Sequence, residues 1–202
     1  METSCWVNIF VLLTAVAAAQ CYRNGARGNS CVNMKPGHGE VQNTTSPYVL
    51  ELEGSMTTYS ADKEVRVCIN KKAFEGLILQ ARRADGSSAS PIGRFTKDLP
   101  KGTKALMCRE EGDSVTHADD SLKPAGTCFC WLGPSSNSGR LHFVATINED
   151  KNMFWMDVKS KALEPAGYSG STTTHPGGAV VLVTFLSTWL IYMVRETDAV
   201  LI

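Results

Sequence analysis

The side chains in this sequence that could do chemistry are mainly cysteine, histidine and methionine, and their spacing limits what that chemistry is. Cys128-Phe129-Cys130 is a CxC pair of the kind that ligates metal, but no second closely spaced Cys/His pair completes a tetrahedral zinc set. Met34, His38 and His117 offer a thioether and two imidazoles, donor types that suit copper. Histidines more often hydrogen-bond within a fold, so no metal and no cofactor is assigned. Ser114, His117 and Asp119 or Asp120 supply the residue types of a hydrolytic triad. No Gly-x-Ser-x-Gly elbow accompanies them, and nearness in sequence does not make triad geometry. Tyr59, Trp131, Phe154 and Trp155 could stack on a sugar, but aromatic residues at strand spacing belong first to a core. No catalytic set emerges, and the sequence is not expected to be an enzyme.

What the cysteines do depends on compartment. Met1-Glu2-Thr3-Ser4 is followed by an apolar stretch from Cys5 to Ala19 that ends in Ala17-Ala18-Ala19, which predicts a signal peptide over 1–19. Its removal takes Cys5 and leaves Cys21, Cys31, Cys68, Cys108, Cys128 and Cys130, an even set that reads as up to three disulfides in an oxidising compartment. Asn43-Thr44-Thr45, just ahead of Ser46-Pro47, is a glycosylation sequon in a turn context. Twenty Lys and Arg balance 20 Asp and Glu, so no field draws nucleic acid, which is excluded as a partner.

The residues from Gly177 to Val194 carry no charge and are followed by Arg195-Glu196-Thr197-Asp198. Eighteen residues of helix span about 27 Å, close to a bilayer core. A single transmembrane helix over 177–194 with a short cytoplasmic tail over 195–202 is one reading. The other is a GPI signal attached near Ser169-Gly170-Ser171, against which the charged end stands. Either way the membrane is a partner through this segment. Residues 163–176, rich in Pro, Gly, Ser and Thr, are expected to form a stalk.

The elements that position the cysteines and histidines lie in between, over 20–162. Short stretches alternate with a period of two and are separated by turn residues, an all-β signature. Arg140 to Ile147 is the clearest strand: Leu141, Phe143, Ala145 and Ile147 share one face, and Arg140, His142 and Thr146 share the other, so one side is expected to meet a core. Further strands are expected over Tyr48 to Leu52, Glu64 to Ile69, Phe74 to Ala81, Lys104 to Met107, Thr127 to Leu132 and Met153 to Lys159. Seven or so strands at this spacing predict an immunoglobulin-like antiparallel β-sandwich, to which the C-terminal segment adds one hydrophobic helix. Alternation puts Cys68 on an outer face beside Arg66, and puts Cys128 and Cys130 opposite in phase to the core residues Phe129 and Trp131. Cysteines two apart on a strand are poorly placed to bond each other, so each is expected to pair elsewhere, in an order the spacing leaves open.

A set of signposts runs through this region: Cys31-Val-Asn-Met34-Lys-Pro36-Gly-His38, Phe74-Glu-Gly76-Leu-Ile-Leu-Gln-Ala81-Arg82, Pro91-Ile-Gly93-Arg-Phe95, Met107-Cys108, Val115-Thr116-His117, Trp131 with Pro134, Phe143-Val-Ala-Thr146, and Phe154-Trp155. In this order, over residues 31 to 159, the sequence resembles the Reeler family, with Leu77 where the family usually has Phe. The family module begins reelin and F-spondin, stands nearly alone in small invertebrate defence proteins, and heads ferric-chelate-reductase-like membrane proteins. The resemblance implies an immunoglobulin-like sandwich, a Cys31–Cys108 disulfide, extracellular placement and no catalytic activity. Cys21, Cys68, Cys128 and Cys130 are additional to that bridge. The haem-binding helices of the reductase-like relatives have no counterpart here, so ferric reduction is not expected.

Two functional classes follow. One is a membrane-tethered recognition or adhesion module, in innate defence, whose partner is an extracellular protein or glycan on a microbial or host surface. Its binding surface is expected on sandwich-end loops at 85–90, 97–102 and 135–139. The other is an accessory ectodomain for metal or redox handling.

Overall fold

The computed structural model describes residues 24–61 and 63–166. Within them run twelve short strands: β1 (Glu40–Val41), β2 (Val49–Leu52), β3 (Thr58–Tyr59), β4 (Glu64–Asn70), β5 (Gly76–Arg83), β6 (Arg94–Phe95), β7 (Thr103–Leu106), β8 (Ser114–His117), β9 (Thr127–Leu132), β10 (Leu141–Asn148), β11 (Met153–Lys159) and β12 (Glu164–Pro165). Six of them form one sheet in the order β1-β11-β10-β5-β8-β7, and four form the facing sheet in the order β2-β4-β9-β6. The long pairs are antiparallel, as expected. Two-residue parallel pairings of β1 with β11 and of β12 with β3 complete the edges.

Alternation builds the core between the sheets. Val65, Val67 and Ile69 of β4 and Phe129 and Trp131 of β9 are wholly buried, while the residues between them face outward. From the six-stranded sheet, Leu77, Leu79 and Ala81 of β5 and Leu141, Phe143, Ala145 and Ile147 of β10 meet them. Trp131 packs edge-on against Phe143 with ring centroids 5.4 Å apart, and its indole N–H donates to the Ile92 carbonyl at 3.0 Å. Gly93 is required beside it: its φ is +69°, and a Cβ there would collide with the Trp131 ring. Tyr59, Trp131, Phe154 and Trp155 are all buried, so none offers a platform for a sugar.

Three expectations need correction. The second face of β10 is not solvent-facing, because Val144 and Thr146 on it are buried. With Met34 and Ile78, Val144 forms a second small apolar cluster, roofed by the N-terminal segment. The stalk does not begin at Leu163. That side chain is 1% exposed and its backbone exchanges hydrogen bonds with Leu141, after which Glu164 and Pro165 pair with Thr58 and Tyr59, so the sandwich continues to Ala166. Strand β8 was not expected, since Ser-Val-Thr-His carries a single aliphatic residue. It is nonetheless almost fully buried between β5 and β7.

No helix among the described residues is long and apolar enough to cross a membrane. The signal peptide over 1–19, Cys21, the segments over 177–194 and 195–202, and the rest of the stalk lie outside the described residues.

Candidate binding site

The covered outer face of the six-stranded sheet is where polar side chains gather. Residues 25–38 cross this face and are held by hydroxyl, amide and guanidinium groups from three different strands. Thr116 Oγ1 on β8 accepts the Ala26 N–H at 2.8 Å and donates to the Leu77 carbonyl at 2.8 Å. Gln80 on β5 is wholly buried and donates to the Cys31 carbonyl at 3.3 Å. Arg82 donates to the same carbonyl at 2.6 Å and to that of Val32 at 3.0 Å, while its Nε donates to Gln80 Oε1 at 2.7 Å. Burial lowers the Arg82 guanidinium below its ordinary value, an effect that Asp157 opposes. Thr146 Oγ1 on β10 donates to the Met34 carbonyl at 2.7 Å. The Cys31–Cys108 disulfide, with Cα atoms 5.5 Å apart, ties the segment to the chain just before β8. Gly25 allows the close approach, because at φ +90° a side chain would run into the His117 carbonyl and the Thr116 methyl.

The segment does not lie flat. A 3-10 turn at Gly28–Ser30 leads to Met34, whose φ of 53° is left-handed and costly for a long side chain. The arch leaves a pocket of about 260 Å³ between its inner side and the ends of β5, β8 and β10. Ala26, Pro36, Leu77 and Ile78 give it apolar walls, and Asn33 and Asn148 add amides. It also brings together the three residues singled out in the sequence as soft-metal donors: Met34, His38 and His117 all line it. Each has partners in the protein. His38 Nδ1 donates to the Lys151 carbonyl at 2.8 Å, the Leu77 N–H donates to His117 Nδ1 at 3.2 Å, and Met34 is 4% exposed against Ile78 and Val144. Among the described residues no three His, Cys, Asp or Glu side chains are grouped to hold a metal ion.

The other candidates are dispersed. Ser114 and His117 stand at opposite ends of β8, Ser114 Oγ donates to Asp113, and Asp119 Oδ1 accepts the Ser121 amide and hydroxyl, so these residues form no triad. Cys68 and Cys128 face each other across β4 and β9 and are joined, which removes Cys128 from any thiolate pair. Among the described residues Cys130 has no disulfide partner, and Cys21, the remaining cysteine expected to pair, lies outside them. Its cross-strand neighbour on β4 is Arg66, and β6 supplies no cysteine. Burial and the nearby Glu64 carboxylate raise the Cys130 thiol above its ordinary value. Asn43 is exposed, as an acceptor for a glycan must be. The loops expected to bind do not form one surface. Those at 85–90 and 135–139 lie at the Arg83 end of β5, whereas 97–102 leads into Thr103 beside His117 at the other end. The sequence reading missed the arch, and the only signal for it was polar Gln80 and Arg82 in phase with Ile78 on β5.

A ten-strand double sheet with a disulfide-pinned N-terminal arch defines a domain of the secreted or extracellular kind. The family model described as Reeler domain matches residues 29–170, and the chain belongs to that family. Defense protein l(2)34Fc of Drosophila melanogaster is 25% identical over 160 residues, covering 77% of this chain and 97% of that protein. Ferric-chelate reductase 1 of Bos taurus is 27% identical over 168 residues, which cover 83% of this chain but only 28% of the reductase. The human F-spondin reeler domain has the same fold, with a TM-score of 0.54 at 18% identity over 67% of this chain and 99% of that one.

Proposed function

We propose that this chain is a non-enzymatic extracellular recognition module of innate defence, tethered to the cell surface by residues 177–194, with the pocket under the N-terminal arch as its binding site. The observation that carries the reading is the arch itself. A segment with a strained left-handed turn, held by buried hydroxyl and amide groups and a half-buried guanidinium, is preorganised, and it shapes a concavity that a flat sheet face would lack. Similarity to a defense protein over nearly that protein's full length supports the defence setting. The test is binding of labelled bacteria, fungal glucan particles and mammalian cells to cells displaying the full chain. Saturable binding of microbes, abolished when the disulfides are reduced, is expected. Equal binding to cells lacking the chain, or none at micromolar display, overturns the reading.

A second reading, an accessory ectodomain for metal handling, is favoured by one observation: Met34, His38 and His117 line the same pocket. It requires copper or iron bound in stoichiometric amount to the purified chain and lost on His38→Ala or His117→Ala.

A further inference from the structure

We infer that Asn24 is a site of spontaneous covalent modification, where attack by the Gly25 nitrogen converts the side-chain amide into a carboxylate at the start of the arch. The chemistry needs only water. The Gly25 nitrogen bonds to Asn24 Cγ, the Cγ–Nδ2 bond breaks, and ammonia leaves with the proton that the attacking nitrogen gives up. Water then opens the five-membered imide. Breaking the new bond gives aspartate, and breaking the original peptide bond gives isoaspartate, which lengthens the main chain by one atom. A side chain on the following residue hinders this ring closure, and Asn24-Gly25 is the one Asn-Gly pair in the sequence. The fold fixes that glycine, since a Cβ at its φ of +90° would collide with the His117 carbonyl. Asn24 itself is exposed, in a turn.

Other asparagines are held against the same attack, because the amide that would make it is already bonded. After Asn29, the Ser30 N–H donates to the Arg27 carbonyl at 2.9 Å, and after Asn33, the Met34 N–H donates to the Ser30 carbonyl at 2.8 Å. After Asn137, the Ser138 N–H donates to the Tyr59 hydroxyl at 3.2 Å, and after Asn152, the Met153 N–H donates to the Asp150 carboxylate at 3.0 Å. Asp85-Gly86 carries the same risk with a carboxylate, but Asp85 Oδ1 accepts both the amide and the hydroxyl of Ser87. Gly25, Ala26 and Arg27 line the pocket, so the modified chain carries a new negative charge on the residue next to that wall.

The experiment is storage of the full chain, purified in detergent, with peptide mass mapping over time and a parallel portion kept unfolded in guanidinium chloride. In the folded portion the peptide carrying Asn24 is expected to gain about 1 Da, with isoaspartate as the larger product, before the peptides carrying Asn29 or Asn137 change. The gain should be faster in mildly alkaline than in mildly acidic buffer, because the deprotonated amide nitrogen is the attacking species. Asn24→Gln should abolish it, since its ring would be six-membered, and should leave the unfolding midpoint unmoved, since the side chain is exposed. A folded portion that stays unchanged while the unfolded portion gains the mass would show that the fold protects the pair, and overturns the inference. An unchanged mass in both portions does the same. So does a first gain at another asparagine, or aspartate without isoaspartate, the mark of direct hydrolysis by water.

Discussion

The Thr146 hydroxyl lies 2.7 Å from the carbonyl oxygen of Met34, a residue 112 positions earlier, and it holds that residue in a left-handed conformation. Thr146→Val keeps the shape and removes the donor. The orphaned carbonyl should cost about 1–2 kcal/mol, read as a lower urea midpoint with an unchanged m value. Hydrogen exchange should rise over residues 26–38 and not over β4 or β9. Uniform loss of protection would mean that the arch and the sandwich unfold as one unit.

Cutting the Cys31–Cys108 bridge acts on the same arch from its other side. The bridge closes a loop with a sequence separation of 77, so replacing both cysteines by serine should destabilise the domain by about 4 kcal/mol in denaturant titration. A loss far below that would show that Gln80 and Arg82 hold the segment without the covalent link.

Lys123 is 1% exposed, and its ammonium donates to the carbonyls of Glu75 at 2.7 Å and Asp119 at 2.6 Å and to the Asp119 carboxylate at 3.3 Å. Lys123→Met fills the same space but leaves these acceptors unpaired, and should cost about 2–4 kcal/mol in a chemical unfolding curve. A neutral outcome would mean that water enters and replaces the ammonium.

Alkaline pH offers a separate probe. Burial, aided by Glu149 and Asp150, pushes the Tyr48 hydroxyl up to about 12 from an ordinary 10.0. The folded state disfavours the phenolate, so this contribution to stability is complete below pH 10 and is lost as pH rises towards 12. Ultraviolet titration of the folded chain should show delayed ionisation, to which Tyr59, also raised by burial, contributes, and Tyr48→Phe should remove the component near 12. Ionisation of every tyrosine near the ordinary value would refute the assignment.

Asn43→Gln in secreted material should remove one glycan's mass while changing the unfolding free energy by no more than about 0.5 kcal/mol, as befits an exposed surface substitution. An unchanged mass would show that the sequon is not used.

Strands with one clean face were legible in the sequence. In β4 and β9 the phase of Val65, Val67, Phe129 and Trp131 fixes the core side and puts Cys68, Cys128 and Cys130 on the other. What escaped was every feature made by side chains meeting distant backbone. Gln80 and Thr146 look like solvent-facing residues until the arch brings carbonyls to them, and Lys123 looks like a surface lysine until three acceptors converge on it. Leu163 resembled the start of a flexible run because composition, not pairing, is all that a Pro- and Gly-rich stretch displays. The pocket was half legible: Met34, His38 and His117 were singled out for their chemistry, but only register places them round one opening.

The bridge between Leu163 and Leu141 fixes where the chain leaves the sandwich, at the Arg83 end of β5, while the pocket opens by Leu77 and His117 at the other end. Six residues of strand separate the two, about 20 Å. The point at which the described chain ends and the mouth of the pocket thus lie at opposite poles of the sandwich, so a change at one pole leaves the other untouched.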